Sequence, residues 1–265
     1  MPLLTRRAGA AERRAQATGP LQLSRLDSLR ALESEAFDIL VIGGGVTGSY
    51  AALDAALRGC RVALVEKDDF ASGTSSKSSK LVHGGIRYLE QGNVALVRHS
   101  LLERQRLREN APHLVHRLPF VFPILGKDSV IDKRLEAGFA AMLHTYDVVG
   151  GWREGVLHAR LSRQEVAQAA PTLRADQLLR GYLFYDARAD DARLTLVIAR
   201  TAAFHGATIL NHAKAAQITR RSGRVSGAVI EADGREVEVS AKVVVMATGS
   251  WLRDFSGAAP DADVP

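Results

Sequence analysis

A glycine-rich turn, Gly43-Gly44-Gly45-Val46-Thr47-Gly48, follows a short apolar run and precedes a stretch of small residues. In the spacing Gly-x-Gly-x-x-Gly, Gly43 permits a tight turn, Gly45 lets a pyrophosphate approach the backbone, and Gly48 allows a helix to pack closely on the strand. The N–H groups and the positive dipole end at the start of that helix suit phosphate. The pattern therefore predicts a dinucleotide site.

An acidic residue, Glu66, ends the second predicted strand, 18 residues after Gly48. A carboxylate at this place accepts hydrogen bonds from an adenosine ribose and disfavours a 2′-phosphate, which argues against NADP and leaves FAD and NAD. A second turn, Ala247-Thr248-Gly249, follows a buried apolar run. It favours FAD, because many flavoproteins return the chain to the cofactor at such a turn.

The elements that must position these residues follow from hydrophobic periodicity and from the glycine and proline positions. Helices are predicted at residues 26–32, 46–57, 94–109, within 130–148, and at 163–170 and 190–205. Strands are predicted at 37–42, 61–65, 120–125, 181–186, 207–210 and 243–246. A β-meander is predicted between residues 213 and 239, with turns at Ser222-Gly223 and Asp233-Gly234.

Composition limits the remaining possibilities. The chain has 265 residues, 46% of them hydrophobic and 24% charged, as in globular proteins, and its net charge of +6 is compatible with an anionic partner. No basic run is interleaved with aromatic residues, which argues against nucleic acid. The single cysteine, Cys60, excludes an internal disulfide and a cysteine-based zinc site, and no other metal site is expected. No apolar stretch approaches the roughly 20 residues that span a bilayer.

The run Thr74-Ser75-Ser76-Lys77-Ser78-Ser79-Lys80-Leu81-Val82-His83-Gly84-Gly85-Ile86-Arg87-Tyr88-Leu89 is far more specific than the glycine turn. Together with Asp54, Arg58-Gly59, residues 185–194 and Ala247-Thr248-Gly249, it resembles the FAD-dependent, respiratory glycerol-3-phosphate dehydrogenases that pass electrons to quinone. The resemblance extends from Leu26 to about Phe255. One departure is Tyr50, where the family usually has a small residue, so that its ring either crowds the packing or faces outward.

The resemblance implies an α/β, glutathione-reductase-like FAD-binding fold, in which a β-α-β dinucleotide unit and a β-meander are joined to part of a mixed-sheet substrate domain. The expected organisation is a basic lead-in, partly disordered with a short helix (1–35), a first FAD-binding segment (36–92), a helical and substrate-domain insertion (93–180), a second FAD-binding segment (181–256) and a linker (257–265). Family members continue for about as much again. We therefore expect the C-terminal half to be missing here, and the 265-residue chain alone to be inactive.

The resemblance also implies the site residues. Those assigned to the cofactor are Gly43, Gly44, Gly45, Thr47, Gly48, Glu66, Lys67, Thr74, Ser75, Ser79, Lys80, His83, Gly84, Lys214, Ala215, Ala247 and Gly249. Those assigned to the substrate phosphate are Arg87 and Tyr88.

The substrate that the resemblance implies is glycerol 3-phosphate. Oxidation of its secondary alcohol needs a hydride acceptor, a base and cations that hold the phosphate group. A guanidinium donates two parallel hydrogen bonds to phosphate, which suits Arg87, although a surface arginine is the alternative. Tyr88 could donate to the same phosphate or pack in the core. His83 is the candidate base because an imidazole has a pKa near 6.5, although it could instead fix the loop.

The predicted function is oxidation of sn-glycerol 3-phosphate to glycerone phosphate, with a membrane quinone as electron acceptor. The expected location is cytoplasmic, at the inner face of the plasma membrane, and the expected assembly is a homodimer. Two alternatives are an FAD-dependent 2-hydroxy-acid or amine oxidase of the same fold and a non-catalytic flavin-binding remnant.

Overall fold

The structure is a computed structural model that describes residues 23–126, 136–150, 152, 155–174 and 176–254. The chain divides into a first unit, Met1–Ser78 with Asp191–Pro265, and a second unit, Ser79–Asp190, inserted into it. The predicted disorder before residue 23, the start of the predicted helix within 130–148 and the predicted linker 257–265 lie outside the described residues.

The described elements follow the predicted order closely. The helices are α1 (Arg25–Ser34), α2 (Val46–Leu57), α3 (Arg87–Glu90), α4 (Val94–Asn110), α5 (Glu136–Val149), α6 (Arg163–Ala169) and α7 (Asp191–Phe204). The strands are β1 (Ala36–Ile42), β2 (Val62–Val65), β3 (Leu81–Val82), β4 (Val115–Leu125), β5 (Ala159–Ser162), β6 (Leu178–Ala189), β7 (Thr208–Leu210), β8 (Ala213–Arg221), β9 (Arg224–Ala232) and β10 (Arg235–Met246). Short 3-10 turns cover Thr74–Ser76 and Gly249–Asp254.

The first unit contains a six-stranded sheet in the order β7-β2-β1-β10-β9-β8. Strands β7, β2, β1 and β10 are parallel, and β10, β9 and β8 form the antiparallel meander. Every residue of β2 is buried, as expected for a parallel strand that is covered on both faces. This unit therefore has the predicted β-α-β and meander architecture.

Two apolar layers cover the faces of this sheet. On one face, Leu40 and Val65 pack with Ile230 and Val239 of the meander. On the other face, Val41 and Leu64 pack with alanines of α2 and α7. Small residues on both helices allow this close packing, and the resulting layers fix the carboxyl ends of β1 and β2.

Strand β10 differs from the prediction of a meander strand ending at 239 and a separate strand at 243–246. It runs without a break from Arg235 to Met246, antiparallel to β9 in its first half and parallel to β1 in its second. No glycine or proline interrupts residues 240–242, so the backbone has no reason to turn there.

The second unit is built on a sheet in the order β3-β6-β4, with β5 also paired to β6, and its described pairings are all antiparallel. Strands β4 and β6 are longer than predicted because they pair with each other along almost their whole length. Residues 79–92 and 181–190, expected in the FAD-binding segments, belong to this unit because β3 pairs with the end of β6. None of the helices in the described ranges is both long and apolar enough to cross a membrane.

Candidate functional site

A cavity of ≈ 550 Å³ lies in the first unit, where β1, β2 and β10 end. In open α/β sheets, ligands bind at the carboxyl ends of the strands, and this volume is within the usual range for small-molecule sites. The cavity is lined by Ile42, Gly43, Gly45, Val46, Thr47, Val65, Glu66, Lys67, Asp68, Ser72, Gly73, Thr74, Ser75, Ala213, Lys214, Ala215, Ala216, Ala247, Thr248, Gly249 and Trp251.

The glycine turn forms one wall because its backbone is bent tightly between β1 and α2. Gly43 has a φ of 114°, which an L side chain rarely adopts, and its N–H donates to the carbonyl oxygen of Val65 at 2.8 Å. Gly48 lies directly against the carbonyl of Gly43, so that a methyl group there would collide with backbone. Helix α2 therefore begins at the cavity, with its first N–H groups, which have no acceptor within the helix, at the wall.

Glu66 joins the end of β2 to this turn. One carboxylate oxygen accepts the N–H of Gly44 at 2.6 Å, and the other accepts the N–H of Asp68 at 2.9 Å. A carboxylate has about four acceptor positions, so Glu66 keeps capacity for a ligand hydroxyl. Its side chain is thus held in place at the cavity by two backbone donors.

The serine-rich loop closes a second side of the cavity. The hydroxyl oxygen of Ser75 accepts the N–H of Val46 at 2.9 Å, which ties the loop to the start of α2. Ser78 donates its hydroxyl to Asp191 at 2.7 Å and so anchors the end of the loop to α7. The ring of Trp251 packs against Gly73, and the Lys67 ammonium lies 5.0 Å from the centre of that ring.

One polar group in the cavity wall indicates a ligand. The hydroxyl of Thr248 is buried and has no hydrogen-bond partner within the described residues. A buried hydroxyl without a partner costs stability, so its partner is expected to be a bound water, an ion or a ligand. Together with the helix start and Glu66, it gives the cavity the donors and acceptors that a dinucleotide needs.

Most residues assigned to the cofactor from the sequence lie in this wall. They are Gly43, Gly45, Thr47, Glu66, Lys67, Thr74, Ser75, Lys214, Ala215, Ala247 and Gly249. Gly44 and Gly48 support the turn without lining the cavity.

The other residues assigned from the sequence, Ser79, Lys80, His83 and Gly84, belong to the second unit. Tyr50 is 40% exposed, so its ring faces outward. The sequence assignment missed Thr248, the middle residue of the Ala-Thr-Gly turn, and Trp251, which no local pattern connects to Gly73.

In the second unit, the candidate substrate residues stand on a single turn. His83, Arg87 and Tyr88 are all exposed, and the Tyr88 ring packs against Gly85, whose carbonyl accepts the Tyr88 N–H at 2.9 Å. Arg87 forms no ion pair with any residue of the described ranges, which leaves its guanidinium available to an anion. The turn therefore presents an imidazole, a guanidinium and a phenol to solvent.

A buried charged cluster lies beneath this turn. Arg104 of α4 and Asp186 of β6 form an ion pair, and the Arg104 guanidinium also donates to the Tyr146 hydroxyl at 2.9 Å. Asp186 accepts the N–H of Gly84 at 2.9 Å. Burial raises the pKa of Asp186, an effect that the adjacent Arg104 opposes, and burial likewise raises the pKa of the Tyr146 hydroxyl.

The sequence profile of the FAD-dependent oxidoreductase family matches residues 38–265. The chain belongs to this family. FAD, as predicted, is therefore its cofactor. Within the described residues, no group of three His, Cys, Asp or Glu side chains could hold a metal ion.

Comparison with individual proteins gives a more specific likeness than the family profile does. The chain is 44% identical over 246 residues to a glycerol-3-phosphate dehydrogenase of Mycobacterium leprae, covering 91% of this chain and 40% of that protein. It is 44% identical over 238 residues to a mitochondrial glycerol-3-phosphate dehydrogenase of Arabidopsis thaliana, covering 84% and 37% respectively. The chain thus spans about 40% of the length of the curated relatives that it matches.

Solved structures show the same likeness to glycerol-3-phosphate dehydrogenases. The glycerol-3-phosphate dehydrogenase of Bacillus halodurans complexed with FAD is 31% identical, with a TM-score of 0.67, over 89% of this chain and 39% of that one. The L-proline dehydrogenase of P. horikoshii, 19% identical with a TM-score of 0.65 over 83% of this chain and 55% of that one, shares the fold. The family resemblance seen in the sequence is confirmed.

Proposed function

We propose that the protein oxidises sn-glycerol 3-phosphate to glycerone phosphate with FAD as the hydride acceptor. The observation that carries the proposal is the 44% identity to glycerol-3-phosphate dehydrogenases over 91% of this chain. The exposed Arg87, without an ion-pair partner in the described ranges, supports it because the phosphate group needs a cation.

The chain's own residues divide the work of binding FAD. The backbone N–H groups of Gly45 and Thr47, at the start of α2, would hold the pyrophosphate, since the Val46 N–H already donates to Ser75. Glu66 would accept a ribose hydroxyl, and Thr248 would pair its buried hydroxyl with the cofactor. The backbone at Lys214 and Ala215, which lines the cavity, would border the adenine.

The turn of the second unit binds the substrate. Arg87 donates two parallel hydrogen bonds to the phosphate, and Tyr88 donates its hydroxyl to the same group. His83 takes the proton of the C2 hydroxyl at an imidazole nitrogen, a role that its exposed ring can reach. FAD, when bound, supplies the acceptor for the hydride that leaves C2.

The onward route of the electrons extends the proposal. We propose a quinone as acceptor, a location at the inner face of the plasma membrane and a homodimer. The net charge of +6 supports contact with an anionic lipid surface. Reduction of a soluble quinone analogue, co-sedimentation with anionic vesicles and sedimentation equilibrium test the three points in turn.

The central test is a substrate profile. Dye reduction is measured with glycerol 3-phosphate, glycerol, a 2-hydroxy acid and an amino acid. Because the chain spans about 40% of its relatives, the assay uses the chain itself and a chimera in which it replaces the matching segment of the Mycobacterium leprae protein.

We expect the FAD-loaded chimera to turn over glycerol 3-phosphate and none of the other three. Turnover of the 2-hydroxy acid or the amino acid instead would favour an oxidase of the same fold. A chimera that binds FAD and oxidises nothing would favour a flavin-binding remnant.

A further inference from the structure

The buried cluster beneath the His83–Tyr88 turn consists of Arg104, Asp186 and Tyr146. Burying its two charges costs free energy of folding, and stabilisation of the fold alone does not explain why they are there. Arg104 and Asp186 are 1% and 6% exposed. Removing two charges from water is unfavourable, and well-packed apolar side chains often stabilise a core as well as a buried ion pair does. The arrangement of this pair is therefore informative about function.

The cluster contacts the turn through one specific hydrogen bond. Asp186 accepts the N–H of Gly84, the residue that follows His83. Because the acceptor is a buried carboxylate paired with Arg104, this bond is stronger than one to a neutral acceptor. It fixes the backbone at the point from which the His83 side chain leaves it.

Packing restrains the same segment from the apolar side. A side chain on Gly84 would collide with Leu101 and with the Tyr146 hydroxyl, so the backbone of the turn lies directly on α4 and α5. Ile86 within the turn and Leu89 just after it pack against Val97, Leu101 and Tyr146. The segment from His83 to Leu89 thus rests on the cluster while His83, Arg87 and Tyr88 face solvent.

We propose that Asp186 and Arg104 are positioning residues, which hold the His83–Tyr88 turn in the geometry that binds and deprotonates the substrate. Asp186 acts through the Gly84 N–H. Arg104 holds the Asp186 carboxylate in place, and Tyr146 orients Arg104. The part of this proposal that concerns substrate rests on the proposed function.

The chain contains a matched control for Asp186. Asp147 of α5 is also buried, at 8% exposure, and its carboxylate also accepts a backbone N–H, that of His158 at 3.0 Å. The same substitution at Asp147 therefore removes a carboxylate acceptor from a different backbone segment, together with the 2.6 Å contact of that carboxylate with a ring nitrogen of His158.

The first measurement is amide hydrogen exchange of the whole chain without substrate. Asp186→Asn keeps an acceptor oxygen but loses the charge, and Asp186→Ala loses both. We expect exchange at residues 83–89 to rise severalfold in Asp186→Asn and about tenfold to hundredfold in Asp186→Ala. Residues 163–169 of α6, in the same unit but outside the cluster, serve as the internal reference for unfolding of the whole unit.

The control must leave the turn unchanged. Asp147→Asn and Asp147→Ala should raise exchange near residue 158 and not at 83–89. If Asp186→Ala does not fold, Asp186→Asn together with Tyr146→Phe carries the comparison. Unchanged exchange at 83–89 in the folded Asp186 variants, or an equal rise in the Asp147 variants, would overturn the positioning role.

The second measurement is the KM and kcat for glycerol 3-phosphate in the chimera. We expect Asp186→Ala to raise KM about tenfold or more and to lower kcat, since a misplacement of roughly 1 Å can cost about a hundredfold in rate. The affinity for FAD should not change, and Asp186→Asn should recover part of both losses.

The two proposals can fail separately. A chimera that does not use glycerol 3-phosphate would end the proposed function, while the exchange data would still decide whether Asp186 holds the turn. Kinetic constants unaltered in Asp186→Ala, in an active chimera, would show that the cluster does not position the substrate residues.

Discussion

A substitution at Gly45 should distinguish an effect on FAD affinity from an effect on the stability of the fold. Its backbone, with φ −75° and ψ −179°, is extended and open to any residue. An added Cβ would meet a single side-chain atom, the Ser75 hydroxyl oxygen at 3.1 Å, which needs to shift by only a few tenths of an ångström and can keep its hydrogen bond from the Val46 N–H. Gly45→Val should therefore fold, at a cost of about 1 kcal/mol for a poorer N-cap residue.

The same side chain would enter the cavity at the start of α2. There it would separate a pyrophosphate from the helix N–H groups. Loss of charge-assisted contacts of about 1.5–3 kcal/mol corresponds to an affinity for FAD reduced roughly tenfold to hundredfold. Gly48→Ala is the contrasting variant, because its methyl group would collide with the Gly43 carbonyl and destabilise the fold itself by about 3 kcal/mol.

The assay is titration of apo protein with FAD, followed by quenching of tryptophan fluorescence, beside thermal unfolding of the same samples. Trp251 lines the cavity and should report binding directly. A wild-type affinity in Gly45→Val would refute the placement of the pyrophosphate. A loss of stability in Gly45→Val as large as in Gly48→Ala would show that the reasoning about the open backbone is wrong.

Three further outcomes are expected. Arg87→Ala should raise the KM for glycerol 3-phosphate in the chimera roughly tenfold to hundredfold without changing FAD affinity, and an unchanged KM would remove Arg87 from the site. Thr248→Val should leave the apo protein as stable or more stable, yet weaken FAD binding by about 0.5–1.5 kcal/mol; equal FAD affinity in titrations would exclude the hydroxyl from the site. A hydrogen bond from Lys242 lowers the pKa of Asp38, so their stabilisation is present above the unfolded pKa of about 3.9 and is lost as pH falls through the folded pKa. Lys242→Met should thus cost less than about 1 kcal/mol in urea unfolding at pH 7 and progressively less as the pH falls below about 3.9, and a constant difference would contradict the assignment.

The sequence predicted the first unit well because its signals are local. The glycine turn, the all-apolar β2 and the turns at Ser222-Gly223 and Asp233-Gly234 each depend on a few adjacent residues. The break expected between 239 and 243 was wrong, since one strand can change partners along its length without any local signal.

The second unit and parts of the site were harder to predict because they depend on distant pairs. Pairing with β6 extends β4 back to Val115, and residues 115–119 carry no clear strand alternation of their own. Trp251 reaches Gly73, and Asp186 reaches Gly84, across more than a hundred residues. Such contacts arise from topology, so periodicity and spacing cannot reveal them.

The insertion of one unit within the other has a consequence for synthesis. Strand β1 lies at the centre of its sheet between β2 and β10, but β10 follows it by about 200 residues. A nascent chain on the ribosome can therefore complete residues 79–190 while β1 still exposes an unpaired edge. Because long-range parallel pairing is slow, the docking of β10 should be the last and most error-prone step, and the stage at which a chaperone is needed most.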